Sequence, residues 1–124
     1  MELLLAVAFG GALGSVARFL VSKLLQEKVG IAFPVGTLVV NASSAFIIGF
    51  AFAFFVERLA VSPNLRALLI TGFLGGYSTY STLFWEAYYM LFNGEYVKFF
   101  AYLLLSNVLG VFMVFLGYSV GRSL

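Results

Sequence analysis

The sequence contains no cysteine, no histidine and no aspartate. These absences exclude disulfides, thiolate nucleophiles, imidazole bases and zinc clusters. All five acids are glutamates: Glu2, Glu27, Glu57, Glu86 and Glu95. Four of them fall at predicted helix ends or loops, which leaves hydrolytic chemistry almost nothing to work with, and the chain is read as not an enzyme. Charge is also scarce. Only 10% of residues are charged, whereas a soluble domain carries roughly 25% to keep its surface wet.

What is present is apolar. Hydrophobic residues make up 63% of the chain and the mean hydropathy is +1.08, as in an integral membrane protein. The start, MELLLAVAFGG, lacks the positive leader of a secretory signal. Its first charge is Glu2 and its apolar run extends to Leu20, so it reads as a first membrane helix that stays. Charges and turn formers interrupt the chain at KLLQEKVGIAFP (Lys23–Pro34), ERLAVSPNLR (Glu57–Arg66) and NGEYVK (Asn93–Lys98). Four apolar runs remain, about 3–22, 33–56, 67–92 and 99–120. Each is long enough for the roughly 20 residues that a helix needs to span a bilayer core. The expected fold is therefore an all-α membrane protein, one domain over 1–124, with four transmembrane helices. No run alternates at period two, which argues against a barrel.

With four spans both termini lie on one side, together with Arg58, Arg66 and Arg122. The other side carries Lys23, Lys28 and Lys98, with Arg18 close by. This balance gives no strong orienting instruction. It suggests a chain that inserts both ways and pairs as a dual-topology antiparallel homodimer; a single weakly deciding loop charge is the alternative. Small residues supply helix contact faces in lipid. Here they are Gly10, Gly11, Gly14 and Ser15, then Ala42, Ala45, Gly49 and Ala53, and finally Gly110, Gly117 and Gly121.

Polar groups inside spans are costly and face protein or water. Thr37, Asn41 and Ser44 share one face of the second span. Tyr102 and Ser106 share one face of the fourth, with Asn107 beside them. Either stripe serves as interhelical glue or as a pathway lining. Arg18 is a snorkelling anchor or a cation that draws anions into a vestibule. Glu86 is the acid well inside a span, suited to a proton or cation coupling site or to a vestibule at the water boundary. In the third span, GGYSTYST (Gly75–Thr82) places six hydroxyls in a row: Tyr77, Ser78, Thr79, Tyr80, Ser81 and Thr82. Successive helical residues point about 100° apart, so one stripe cannot hold them all. A break at Gly75–Gly76 is expected. Carbonyls freed there at mid-membrane suit a cation such as Na⁺, and the hydroxyl and amide donors suit a small anion that accepts hydrogen bonds strongly.

GGALGSVARFL (Gly10–Leu20), GTLVVNASSAFIIG (Gly36–Gly49) and TGFLGGYSTYSTLFWEA (Thr71–Ala87), in this order over four spans, resemble the Fluc, or CrcB, fluoride channels over essentially the whole chain. The resemblance implies a dual-topology homodimer in the prokaryotic cell membrane, with two antiparallel pores that pass F⁻ passively and exclude Cl⁻, lowering cytoplasmic fluoride. It implies a structural Na⁺ at the dimer centre, held by the backbone carbonyls of Gly75 and Ser78. The fluoride pathway would fall on Asn41, Tyr102 and Ser106, with Thr37, Thr79, Ser81 and Thr82 as nearby hydroxyls. Arg18 and Glu86 would line the vestibule. Where the family usually reads GG-x-TTFSTF, two pore-lining phenylalanines are replaced by Tyr80 and Leu83. The implied partners are fluoride, a second copy and lipid, with no nucleic acid. A small dual-topology multidrug-type transporter is the rival, but such proteins rely on a glutamate deep in the first span, and neither Glu2 nor Glu27 lies there.

Overall fold

A computed structural model describes residues 2–30 and 33–124. It is all-helical among the described residues: α1 (Glu2–Val29), α2 (Val35–Arg58), α3 (residues 63–77), α4 (Ser81–Phe92) and α5 (Tyr96–Ser123). α1 and α5, at 28 residues each, are about 42 Å long at 1.5 Å per residue. Together with α2 they are, among the described residues, the three helices long and apolar enough to cross a membrane. α3 and α4 are the two halves of the third expected span. Neither half is long enough to cross by itself, because the chain leaves helical geometry between them at Ser78 (φ −75°, ψ 155°).

The helices extend beyond the apolar runs. KLLQEKV continues α1 and PNLR opens α3. Lysine, glutamate, glutamine and leucine are good helix formers, so these charged segments end a membrane span without ending a helix. Local chemistry sets the true ends. Gly30 closes α1 in the left-handed region (φ 91°), its N–H donating to the Gln26 carbonyl at 2.8 Å. Ser62 caps α3 by accepting from the Leu65 N–H at 3.2 Å, with Pro63 in the first turn. Two segments, Phe52–Arg58 and Ala67–Leu74, wind as π-helix on either side of that turn.

Two seams organise the packing: α1 lies against α3, and α2 against α5. Glycine lets the backbones approach. A methyl group at Gly14 would overlap the Phe73 carbonyl, and one at Gly117 would overlap the Phe46 carbonyl. Of the glycines expected at contact faces, Gly110 is the exception, with open space around it. The buried centre is small. Leu83, Ala87, Met90 and Tyr102 form one cluster against Phe33, Leu38, Phe99 and Leu103, with the Phe33 and Tyr102 rings edge to face at 5.5 Å. Outward faces such as Leu104, Val108, Val111 and Phe115 are exposed, as lipid-facing surfaces must be.

The seams give a direct test. Gly117→Ala is expected to destabilise the protein by about 1–3 kcal/mol through overpacking, lowering the thermal unfolding midpoint in detergent. Gly110→Ala should leave that midpoint unchanged.

Candidate functional site at the break in the third span

The break lies after the glycines. Gly75 is helical (φ −62°, ψ −36°), and the helix runs on to Tyr77. The expectation of a break at Gly75–Gly76 is therefore shifted by about three residues. Gly76 is needed for its missing side chain, since a Cβ there would press on the Gly11 backbone of α1. The turn falls at Ser78, Thr79 and Tyr80.

An unbroken helix would pair each N–H with the carbonyl four residues earlier. Ser78 still does so, donating to Leu74 at 3.0 Å, and its hydroxyl donates to the same carbonyl at 2.9 Å. From Thr79 onward side chains take over. The Thr79 N–H donates to Asn41 Oδ1 at 2.9 Å, and Asn41 Nδ2 donates to the Thr79 carbonyl at 2.9 Å. Arg18 Nε donates to the Gly76 carbonyl at 3.1 Å. The Thr82 N–H reaches Thr79 Oγ1 at 3.4 Å, and that hydroxyl donates to Thr82 Oγ1 at 3.0 Å. Regular pairing resumes where the Phe84 N–H donates to Tyr80 at 3.0 Å. The carbonyls of Gly75 and Ser78 receive no side-chain donor among the described residues.

A second polar knot ties α2, α4 and α5. Glu86 Oε2 accepts from Thr37 Oγ1 at 3.1 Å, and Glu86 Oε1 accepts from the Tyr102 hydroxyl at 2.8 Å. Thr37 and Tyr102 are buried. Their hydroxyl hydrogens orient the carboxylate. Ser106, one turn along from Tyr102, has a buried hydroxyl with no hydrogen-bond partner among the described residues.

A cavity of about 300 Å³ brings together Arg18, Thr37, Thr79, Thr82 and Glu86, with Lys23 at its wall. Five of the residues singled out in the sequence thus line one space. The two positions at which the family's phenylalanines were expected face different ways. Leu83 is buried in the core cluster. Tyr80 is 64% exposed, its ring centroid 4.4 Å from that of Phe84. Ser81 is exposed. Asn107 turns back to the Leu103 carbonyl at 2.7 Å, outside the network.

Three participants are absent from the sequence reading. Ser43 donates to the Val40 carbonyl at 3.0 Å and meets the Tyr77 hydroxyl at 2.9 Å, fastening the end of α3 to α2. Gln26 bonds to the Gly30 and Phe33 carbonyls and accepts from the Gly36 N–H, joining α1 to the start of α2. Phe84 provides the aromatic neighbour of Tyr80, the two rings tilted by 57°. Ser43 was legible as a hydroxyl in a span; Gln26 sat in a segment taken for a loop.

Fold and site together define a multi-pass helical membrane protein whose broken span is held open by side chains. The family described as CrcB-like protein, Camphor Resistance (CrcB), matches residues 5–118, and the chain belongs to it. Similar relatives carry the description fluoride-specific ion channel FluC. That of Aquifex aeolicus (strain VF5) is 58% identical over 124 residues, the full length of both chains. That of Hydrogenobaculum sp. (strain Y04AAS1) is 46% identical over 94% of this chain and 95% of its own. That of Rhizobium meliloti (strain 1021) is 41% identical over the whole of this chain and 99% of its own.

Asn41→Leu removes both bonds to Thr79 and leaves a part-buried N–H and carbonyl unpaired, at a cost of about 1–3 kcal/mol. The expected result is faster amide hydrogen exchange at Thr79 and Tyr80 and a lower unfolding midpoint. Exchange unchanged at Thr79 would show that the break is held by something else.

Proposed function

We propose that the protein is a fluoride-selective channel that lets F⁻ leave the cell passively and so lowers cytoplasmic fluoride. Three relatives described as fluoride-specific channels, similar over nearly the whole chain, support this reading. The observation that carries it within this chain is Ser106. A buried hydroxyl without a protein partner is costly, and it suits an acceptor that is not protein. F⁻ holds water tightly, so a pathway must replace those hydrogen bonds as it removes them. Asn41 offers a second amide N–H beyond the one held by Thr79, and Ser106 offers its hydroxyl. Arg18, with Lys23, places positive charge at the cavity that leads to Thr37 and Thr79, which favours anion entry.

In this reading two copies pair antiparallel. The face with Tyr80 and Phe84 and the open surface at Gly75 would meet the second copy. The carbonyls of Gly75 and Ser78 fit Na⁺: they are hard oxygen donors, they lie at a helix break, and no side chain among the described residues uses them. Bound there, Na⁺ would supply a positive charge that offsets the cost of an anion in a low-dielectric interior.

Efflux from proteoliposomes, followed with a fluoride electrode, tests the proposal; a chloride electrode tests selectivity. Rapid F⁻ release with little Cl⁻ release is expected, and no F⁻ release from folded protein in Na⁺ would sink it. Ser106→Ala should slow F⁻ efflux roughly tenfold, the worth of one hydrogen bond to a charged group. Cysteine crosslinking of the paired copies should give antiparallel products, and exclusively parallel products would contradict the arrangement.

A further inference from the structure

Glu86 borders a second cavity, of about 350 Å³, whose character is opposite to the first. Arg18 and Lys23 line the first. The second has no lysine or arginine among its lining residues and is walled instead by Trp85, Tyr89, Met90, Glu86 and Glu95. Trp85 and Tyr89 are more than half exposed, so their rings are available. Glu86 accepts from two neutral hydroxyls and forms no ion pair among the described residues. A carboxylate has about four lone-pair positions, so two bonds leave room for more. Glu95 Oε2 meets Lys98 at 2.9 Å, a contact with both side chains over 40% exposed, and such pairs hold weakly.

A half-enclosed carboxylate with no basic residue lining this second cavity favours a cation there. Aromatic faces favour a cation with a weakly hydrated, alkylated surface over a small metal ion. We propose that this cavity is a binding site for an organic ammonium group. Trp85 and Tyr89 would present their faces to its alkyl groups, while Glu86 and Glu95 balance its charge. The site is distinct from the break and from the Arg18 cavity, although Glu86 is common to both spaces. The group could come from a lipid headgroup or from a free amine, and its chemistry is the same in either case.

Trp85 is the single tryptophan of the chain, so its emission reads the cavity directly, with no need for ion flux. Tetramethylammonium chloride is titrated into the full-length protein, with sodium chloride at equal ionic strength as the comparison. A saturable change in emission with tetramethylammonium alone is expected. Tyr89→Leu should raise the half-saturating concentration about threefold or more. Glu95→Gln, at a partly exposed position just before α5, keeps the shape of the side chain and should raise it as well. Vesicles of phosphatidylcholine are then compared with vesicles of phosphatidylglycerol. A higher half-saturation in phosphatidylcholine identifies the headgroup as an occupant; equal values identify the free amine. A linear response, an equal response to sodium chloride, or half-saturation unchanged in both variants would overturn the proposal. A flux experiment that failed would leave this binding result standing.

Discussion

The pairing of the Asn41 amide with the backbone of Thr79 is the constraint on which the site depends. Breaking a helix inside a bilayer exposes N–H and carbonyl groups that neither water nor lipid can satisfy. Asn41 answers both groups of one residue at 2.9 Å each. Because the amide carries a donor and an acceptor side by side, it imitates a neighbouring peptide unit. Arg18 then holds the Gly76 carbonyl from α1, and Thr79 itself helps to start α4. Two of these contacts come from different helices, α2 and α1, and the third ties the turn to α4, so the irregular segment has one position relative to all of them.

The second knot, at Glu86, performs a related task farther along the same span. By collecting Thr37 of α2 and Tyr102 of α5, the carboxylate fixes α4, the shorter half of the broken span. α4 buries Leu83, Ala87 and Met90 on one side and leaves Phe84, Trp85 and Tyr88 facing outward. Charge is sorted around this carboxylate, with basic groups lining one cavity and acids and aromatic rings lining the other.

The spans, the polar stripe on α2 and the existence of a break were legible because they follow from one-dimensional facts: run length, helical spacing, and hydroxyls that one face cannot hold. Thr37 and Asn41 do point at a common partner element, the third span. The position of the break was not legible. Glycine permits unusual dihedrals but does not require them, and at Gly76 the close approach of α1 decides the matter while Asn41 selects Thr79. Nor could the sequence tell which way Leu83 faces. That depends on the rotation of α4 about its axis, which Glu86 and the core around Tyr102 set jointly. Gln26 was hidden by the assumption that charged segments are loops; its role as the strut between α1 and α2 needs the helix to continue to Val29.

The two glycine seams join α1 to α3 and α2 to α5, and these pairs interleave along the chain. During synthesis the amino-terminal helices emerge first. α1 can close on α3 while the rest is still being made, and Asn41 can find Thr79 at the same stage. The glycine face of α2 around Gly49 must wait for the last helix, because its partner surface near Gly117 is made at the end. α5 therefore completes two contacts at once: until it inserts, Gly49 of α2 lacks its partner backbone and Glu86 lacks the Tyr102 hydroxyl that helps to fix α4.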